Sequence, residues 1–393
     1  MNHNQVLDLK KLVMDGRVFR SPYDGHRLEA FIPRMGLENH ASNMLELPNG
    51  DLLCAWFAGT MEGVGDINIA LSRLPSDTTK WTEPVWVSHD STRSEQNPVL
   101  FLTPDEKVWL LYTAQLAGKA TTDAWDQRAG GSAWQQWTAV IRRRVSVDYG
   151  MTWGPVETFA ESPGSFGRNP IVVLSNGDWL FPMYYSLKAP GHGADHSVMR
   201  ISEDQGVTWQ EYTVPESRGR VHGSVVELEA GHLIAFFRSR AADWIYKSRS
   251  TDYGKTWTVP VRSTLPNNNA SIQALKLASG AIALIFNKAS VGDVDPQGTI
   301  WPRQRYPVTI AISEDGGETW PYQRHIDVSD GFAGNANEHL NRRCAYPSMI
   351  QTQDGALHVA YSYRDRQCIK YVRVSEAWVR HQVDYIYEIE ENR

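Results

Sequence analysis

The sequence predicts an all-β fold, a six-bladed β-propeller whose blades are four-stranded and antiparallel. Three observations predict it: an eight-residue box that recurs four times, six copies of a strand–turn–strand unit, and the alternation of the two along 393 residues. The 30 Gly and 20 Pro are scattered rather than clustered, which is typical of many short strands joined by turns. Because a propeller is one domain however long it runs, residues 1–393 are predicted to form a single domain.

The eight-residue box has the pattern Ser-x-Asp-x-Gly-x-Thr-Trp. Ser and Asp side chains accept hydrogen bonds from turn N–H groups, Gly takes a conformation that other residues avoid, and Trp packs back on the strands. The box is therefore interpreted as a structural Asp-box turn between strands and not as a catalytic element. It occurs at residues 146–153, 202–209, 250–257 and 313–320.

The strand–turn–strand units contain alternating and β-branched residues around a short turn, as expected of hairpins. Units two to five are each followed by a full box, the first by a degenerate box at 72–81, and the sixth only by a strand at 368–374. The sixth blade therefore lacks one strand, and the segment 16–19 is predicted to supply it and close the ring. The units lie at 41–58, 98–114, 170–185, 223–238, 271–287 and 347–363.

Charge and composition exclude several function classes. The net charge of −6, without a run of five basic residues, argues against nucleic acid as a partner. No segment approaches the roughly 18 apolar residues of a membrane helix, and the polar N-terminus predicts a cytoplasmic protein with no membrane partner. Cys54, Cys344 and Cys368 form no CxxC pair and no HExxH occurs, so no metal or other cofactor is predicted. The sequence sets no oligomeric state.

The inner strand of every blade begins on the same face of a propeller, so the residues at these starts are expected to meet near the axis. Counting back nine or ten positions from each hairpin turn gives mostly titratable or amide side chains ahead of apolar strands, which favours a functional site. Structural roles are the alternative: histidines that cap turns, a tyrosine that packs in the channel, and arginines in ion pairs between blades. This ring contains His40, Asn97, Arg168, His222, Asn269 and Tyr346.

The boxes and their order resemble the Asp-box, or BNR repeat, of the sialidase superfamily over nearly the whole chain. The resemblance implies a Tyr nucleophile, a Glu that activates it, three Arg that clamp a carboxylate, and an Asp acid. Tyr346, within 345–350, matches the nucleophile motif. Arg238, within 236–239, matches the second clamp Arg, and Arg305, ahead of the strand at 308–311, resembles the third.

Three positions depart from the sialidase pattern. The segment 39–42, which contains His40, replaces the motif of the first Arg, and His222 stands where the activating Glu is expected. Glu62 and Asp66, which lie in one loop, are the candidates for the acid. With these departures the sequence resembles the branch of propeller enzymes that cleave rhamnosyl-glucuronate.

The remaining arginines suit an acidic sugar, because a guanidinium binds a carboxylate in a bidentate fork. Beside such a neutralised carboxylate, a Tyr and His pair fits β-elimination from a uronic acid. The same residues suit hydrolysis, with a Tyr nucleophile, a His base and a carboxylic acid. We therefore predict an enzyme that cleaves an oligosaccharide at an acidic sugar, with a non-catalytic glycan-binding propeller as the alternative. The candidate catalytic residues are Tyr346, His40, His222, Glu62 and Asp66, and the candidate substrate-binding residues are Arg238, Arg305, Arg168, Asn97 and Asn269.

Two segments interrupt the repeat. The insertion 116–137 carries several Trp residues, and it either forms a wall of the site or packs over the face of the propeller. The Gly-rich loop at 189–196 contains His192, Asp195 and His196, for which a rim loop is favoured over a cation site.

Overall fold

Six antiparallel sheets around a common axis form the blades of a propeller, which confirms the predicted fold. The computed structural model describes residues 13–119, 135–188, 193–302, 305–327 and 343–381. Two N-terminal strands, β1 (Phe19–Arg20) and β2 (Leu28–Ile32), precede the first blade. Blade 1 consists of β3 (Glu38–Glu46), β4 (Leu52–Gly59), β5 (Asn68–Leu74) and β6 (Val85–Trp86).

Blades 2 and 3 follow the same order from the axis outward, except that the inner strand of blade 3 is broken into two short pieces. Blade 2 consists of β7 (Arg93–Leu102), β8 (Val108–Leu116), β9 (Val140–Ser146) and β10 (Glu157–Ala160). Blade 3 consists of β11 (Ser165–Gly167), β12 (Val172–Val173), β13 (Trp179–Tyr185), β14 (His196–Ser202) and β15 (Gln210–Thr213).

Blades 4 and 5 are regular, and blade 6 shares its sheet with the N-terminal strands. Blade 4 consists of β16 (Arg220–Glu229), β17 (His232–Ser239), β18 (Trp244–Ser250) and β19 (Val261–Pro266). Blade 5 consists of β20 (Gln273–Lys276), β21 (Ile282–Asn287), β22 (Val308–Ser313) and β23 (Tyr322–Asp327). Blade 6 consists of β24 (Ala345–Gln351), β25 (Ala356–Tyr363) and β26 (Cys368–Ser375), followed by the short helix α1 (Glu376–Val379).

The ring closes through pairing between the two ends of this fold. Strand β2 pairs antiparallel with β26, and β1 adds a fifth, outermost strand. The strand that pairs with β26 thus lies after the predicted segment 16–19, of which Phe19 alone joins this sheet, as part of β1. In that segment Arg17 instead forms an isolated bridge with Lys80 of blade 1. Ala30 and Ile32, which are buried, lie on one face of β2.

The Asp-boxes form the turns between the third and fourth strands, as their residues predict. In the box at 146–153, the Asp148 carboxylate accepts hydrogen bonds from Thr152 N–H and Oγ1–H, and Ser146 Oγ accepts one from Gly150 N–H. Hydrogen bonds from Thr152 lower the pKa of the Asp148 carboxyl to about 2. The two central residues, Tyr149 (φ 58°) and Gly150 (φ 85°), are both left-handed. Because strands alternate in direction within a blade, these turns lie at the end of the blades opposite to the inner-strand starts.

Each box glycine also contacts the preceding blade. A Cβ atom at Gly206 would lie 2.4 Å from Trp109 of blade 2, and one at Gly254 would lie 2.5 Å from Leu180 of blade 3. The glycine is therefore needed for the left-handed turn and for the close approach of neighbouring blades. The box joins blades as well as strands, whereas the sequence indicated only a turn between strands.

The hydrophobic core lies between neighbouring blades. Leu53 of blade 1 packs in one buried cluster with Leu110 of blade 2, and Ile310 of blade 5 packs with Val359 of blade 6. Burial of these apolar surfaces supplies the main stabilisation of such a fold. Within the described ranges, no helix has the length and apolar character needed to cross a membrane.

Candidate active site

A pocket lies at the axis, on the face where the inner strands begin. Its lining contains residues predicted from the strand starts and from the sialidase-like pattern. Cationic side chains outnumber carboxylates in the lining, so the pocket suits an anionic ligand. The lining residues are Glu62, Gln96, Asn97, Gln136, Tyr184, His222, Arg238, Arg240, Trp301, Arg305, Tyr346 and Arg366.

A backbone bulge that recurs in the blades orients the side chains at the starts of the inner strands. One residue at the start of the inner strand has a left-handed backbone in five blades, and the pairing register shifts beside four of these residues. A bulge turns a side chain out of the regular alternation of the strand, here toward the axis. Since it recurs from blade to blade, the bulge belongs to the architecture rather than to one catalytic group. The left-handed residues are Ala41 (φ 58°), Asn97 (48°), His222 (53°), Asn269 (55°) and Tyr346 (53°).

Tyr346 is surrounded by guanidinium groups. Arg238 Nη1 donates a hydrogen bond of 2.5 Å to the Tyr346 hydroxyl. The guanidinium carbons of Arg305, Arg238 and Arg168 lie 5.3, 5.4 and 5.7 Å from the centre of the Tyr346 ring. Burial raises the pKa of the Tyr346 phenol, but the charges of Arg238 and Arg305 outweigh it and lower the pKa to about 8. A substantial fraction of Tyr346 is therefore a phenolate at mildly alkaline pH.

His222 is a buried, neutral imidazole beside this tyrosine. Its Nε2 lies 3.3 Å from both Arg238 Nη1 and the Tyr184 hydroxyl, and its Nδ1 lies 3.1 Å from Ser271 Oγ. Burial and the positive charge of Arg238 lower the pKa of His222 well below its ordinary value. Because an arginine can only donate, Nε2 is assigned as the acceptor and Nδ1 carries the proton.

Arg238 has a free donor in this pocket. Its Nε donates to Asn269 Oδ1 at 2.7 Å, and Asn269 Nδ2 in turn donates to the Ile300 carbonyl at 2.7 Å. Arg238 Nη2 is buried and has no hydrogen-bond partner in the described part of the chain. A buried unpaired guanidinium donor is costly, so this group is suited to bind an anionic ligand.

Two further arginines in the lining are held by carboxylates. Asp195 accepts two hydrogen bonds from Arg240, at 2.6 and 3.1 Å, and both side chains are buried. Arg366 pairs with Glu62 at 2.6 Å and with Glu38 at 2.8 Å. These pairs fix the positions of both guanidinium groups.

The other predicted site residues lie behind or outside the pocket. His40 is buried, with Nδ1 2.7 Å from Ser362 Oγ and its ring 4.3 Å from that of Tyr346. Arg168 is buried below Tyr346, and Asn269 lies behind Arg238. Asp66 is exposed and lines a separate groove, where it accepts a hydrogen bond from Thr60 N–H. Of the two predicted acids, Glu62 is thus the one that faces the pocket.

Several lining residues were absent from the sequence prediction: Gln96, Gln136, Tyr184, Arg240, Trp301 and Arg366. One signal was available for Tyr184. It is the penultimate residue of the second strand in blade 3, as Arg238 is in blade 4. Arg366 gives no such signal, because it reaches the pocket from the turn between β25 and β26 and depends on carboxylates of blade 1.

The two segments that interrupt the repeat are partly described. Residues 120–134 of the insertion and His192 lie outside the described residues, whereas Gln136 lines the pocket. Asp195, the acidic residue of the Gly-rich loop, binds Arg240. Among the residues that the structure describes, no group of three or more His, Cys, Asp or Glu side chains is arranged to hold a metal ion.

Comparison with known proteins gives consistent results. A BNR repeat-like domain model matches residues 50–359. A protein named sialidase from Bacteroides fragilis (strain YCH46) is 26% identical over 363 residues, which cover 83% of this chain and 62% of the length of that relative. The Hadza microbial sialidase Hz136 superposes with a TM-score of 0.69 at 16% identity, over 88% of this chain and 67% of the other. The intramolecular trans-sialidase from Ruminococcus gnavus superposes with a TM-score of 0.65 at 15% identity, over 95% of this chain and 100% of the other. The superpositions show a common fold.

Proposed function

Since the chain belongs to the BNR repeat-like domain family and has the propeller fold of sialidases, we propose that it cleaves a glycosidic bond at an acidic sugar bound in the axial pocket. The observation that carries this proposal is the Tyr346 hydroxyl, which accepts a hydrogen bond from Arg238 among several guanidinium groups. A binding protein has no need of a tyrosine whose pKa is lowered to about 8, whereas a catalyst gains a nucleophile or a base.

The carboxylate of the sugar is proposed to bind Arg238 and Arg305. Arg238 Nη2 provides a buried donor for one carboxylate oxygen, and the guanidinium carbon of Arg305 lies 5.3 Å from the centre of the Tyr346 ring. A charge-assisted hydrogen bond of this kind contributes roughly 1.5–3 kcal/mol. Trp301, another lining residue, offers an aromatic face to the sugar ring.

Hydrolysis is the first reaction that this arrangement supports. The Tyr346 oxygen attacks the anomeric carbon, the bond from that carbon to the leaving oxygen breaks, and Glu62, as the general acid, donates a proton to the leaving oxygen. Water, deprotonated by Glu62, then attacks the same carbon and releases Tyr346 as a phenolate. Low basicity of the phenolate makes it a good leaving group in the second step.

β-Elimination is the second candidate, and one specific observation favours it. Within the described part of the chain, the Tyr346 hydroxyl is hydrogen-bonded by Arg238 and by no carboxylate, and neutral His222 stands beside it. A phenolate can take the C5 proton of a uronic acid, and the arginines stabilise the enolate that forms. The C4–O bond then breaks as the C4–C5 double bond forms, and the phenol returns the proton to the leaving oxygen.

The decisive experiment is to weigh the products formed from two oligosaccharides, one with a terminal sialic acid and one with a rhamnosyl-glucuronate unit. Hydrolysis gives products whose masses sum to that of the substrate plus one water. Elimination gives products that sum to the substrate alone, one of them with new ultraviolet absorbance. Binding of either sugar without a change in mass would contradict the enzymatic proposal and favour a glycan-binding propeller.

Tyr346→Phe tests the proposed catalytic group. We expect kcat to fall by about 10³-fold, within the range for loss of a nucleophile or of a general base, while the melting temperature is nearly unchanged. Tyr149→Phe is a matched control. Tyr149 (φ 58°) is also a tyrosine with a left-handed backbone, but it lies in a box turn at the far end of the blades. Full turnover by Tyr346→Phe would remove Tyr346 from the mechanism.

A further inference from the structure

Blade 3 differs from the other blades at its inner strand. The strand is interrupted between β11, which ends at Gly167, and β12, which begins at Val172. None of residues 165–173 has a left-handed backbone, in contrast to the inner-strand starts of the other five blades. The interruption places two polar side chains, Arg168 and Asn169, in the buried centre of the ring, where they are 1% and 2% exposed.

Arg168 spans the centre of the propeller. Its Nη2 donates hydrogen bonds of 3.0 Å to the carbonyl of Tyr346 in blade 6 and of 3.0 Å to the carbonyl of Ser42 in blade 1. Tyr346 is the left-handed residue of blade 6, and Ser42 follows Ala41, the left-handed residue of blade 1. A single nitrogen therefore holds the bulges of two blades to a third.

Asn169 makes the corresponding contacts with blade 4. Its Nδ2 donates to the carbonyls of His222 and Gly223, at 2.9 Å in each case. His222 is the left-handed residue of that blade. The dipeptide 168–169 thus binds the bulges that carry the tyrosine and the histidine of the pocket.

These contacts matter because the backbone of a bulge is strained and its carbonyl groups need donors. A left-handed backbone costs about 1–2 kcal/mol for a residue with a side chain, and the carbonyl groups in a bulge lack their usual strand partners. Donors that satisfy these carbonyls stabilise the strained conformation over the regular strand, in which each side chain would point elsewhere.

We propose that Arg168 and Asn169 are positioning residues of the pocket: Arg168 holds the backbone of Tyr346, Asn169 holds that of His222, and blade 3 thereby sets the two rings relative to each other. This inference rests on the proposed catalytic use of Tyr346. It replaces the sequence-based assignment of Arg168 to substrate binding, because its side chain lies beneath the pocket and does not line it.

The environment of Arg168 supports a role directed at Tyr346. Its Nε and Nη1 have no hydrogen-bond partner in the described part of the chain, and its guanidinium carbon lies 5.7 Å from the Tyr346 ring centre. A fully buried cation is costly, so a residue that served only to fill the channel would be better uncharged. The other charged or titratable groups around Tyr346 include Glu62 and His40 from blade 1, Tyr184 from blade 3, His222, Arg238 and Arg240 from blade 4, and Arg305 ahead of β22.

The test combines kinetics with a probe of the ring itself. 3-Fluorotyrosine is incorporated at position 346, and its ¹⁹F resonance is recorded in the otherwise unchanged protein and in the variants Arg168→Gln, Arg168→Lys and Asn169→Leu. In Arg168→Gln we expect a shifted or broadened resonance and a kcat about 100-fold lower with KM little changed, as for a catalytic group displaced by roughly 1 Å. Arg168→Lys keeps one cationic donor nitrogen. It should therefore restore part of the original resonance and part of kcat. Asn169→Leu should lower kcat with a smaller effect on the resonance.

Arg144→Gln is the matched control. Arg144 also donates to backbone carbonyls and joins blades, since it binds Val87, Trp153 and Gly154, but it lies away from the pocket. Its loss should lower the melting temperature and leave kcat and the fluorine resonance unchanged.

An unchanged resonance and an unchanged kcat in folded Arg168→Gln would overturn the inference. If Arg168→Gln does not fold, the same test is made on Arg168→Lys and Asn169→Leu. The fluorine resonance and kcat are then compared with those of the unchanged protein. The result is separable from the proposed function: full turnover by Tyr346→Phe would refute the catalytic role, while a displaced resonance in Arg168→Gln would still establish positioning.

Discussion

Two groups of left-handed residues recur from blade to blade, one in the Asp-box turns at one end of the blades and one in the inner-strand bulges at the other. In the box at 250–257, Tyr253 (φ 60°) and Gly254 (φ 88°) are stabilised by Ser250 and Asp252 of the same eight residues. In the bulges of blades 4 and 6, the donors come from blade 3: Asn169 donates to the His222 carbonyl and Arg168 to the Tyr346 carbonyl.

The difference concerns where the stabilising partner lies. A turn whose donors and acceptors lie within eight residues forms from local sequence alone, and it repeats wherever that sequence repeats. A bulge that depends on a distant blade forms only in the assembled ring, so its side chain can be placed by the rest of the fold. The first arrangement suits stability and the second suits a binding site.

The largest expected effect on stability concerns the box glycines. Gly206 (φ 88°) and Gly177 (φ 90°) are both left-handed, but a Cβ would lie 2.4 Å from Trp109 at Gly206 and has nothing within 4 Å at Gly177. Gly177→Ala should lower the free energy of unfolding by about 1–2 kcal/mol for the backbone alone. Gly206→Ala should lose a further amount of about 1–3 kcal/mol from overpacking between blades. Urea unfolding measures both, and equal losses would contradict the role of the box in joining blades.

A somewhat smaller effect is expected in the dependence of kcat/KM on pH. The pKa of Tyr346 is lowered to about 8, so the phenolate is the minor form below this pH and the major form above it. If the phenolate is the reactive form, kcat/KM should rise about tenfold per pH unit up to pH 8 and level off above it. A wild-type profile that does not rise toward pH 8 would show that the inner ring does not set the ionisation of Tyr346 in the way described. Gly206→Ala, measured on folded protein, should keep the same profile.

The smallest effect is expected for a box carboxylate. Asp252 accepts hydrogen bonds from Thr256 N–H and Oγ1–H and from Ser250 Oγ–H. Asp252→Ala should lower the free energy of unfolding by about 1 kcal/mol after allowance for partial exposure, with kcat unchanged.

The contribution of the Asp252 carboxylate to stability should depend on pH in the acid range. The hydrogen bonds from Thr256 outweigh partial burial and lower the pKa of Asp252, so its contribution is present above the ordinary carboxyl pKa and is lost as the pH falls through the lowered value. Melting temperatures of the wild type and of Asp252→Ala should therefore converge in acid. A gap that persists at low pH would indicate a packing effect rather than a charge effect.

The sequence predicted those features whose partners are close in the chain. The boxes and the six hairpins could be predicted because each is specified by residues within one unit. The ring of inner-strand residues could be predicted because the hairpin turns fix its spacing. The closing strand was placed too early, since segment 16–19 has no local feature that separates a bridge to Lys80 from pairing with blade 6.

Roles within the candidate site were harder to predict for the same reason. Glu62 and Asp66 lie in one loop, but only the loop conformation shows that Glu62 faces the pocket. Arg168 stands in the predicted ring, yet its partners are carbonyl groups of two other blades. Arg240 becomes part of the pocket only with Asp195, which the sequence placed in a rim loop.

The pairing of β2 with β26 also bears on how the protein is made. During synthesis β2 leaves the ribosome before any blade, and its partner follows only when almost all of the described chain has been produced. Until β26 has been made, Glu29 of β2 lacks its ion-pair partner Lys370, and β2 has no blade 6 strand to pair with. A nascent chain with five blades therefore carries open strand edges, which invite pairing with other chains. The newly made protein should depend on chaperones up to the moment at which the ring closes.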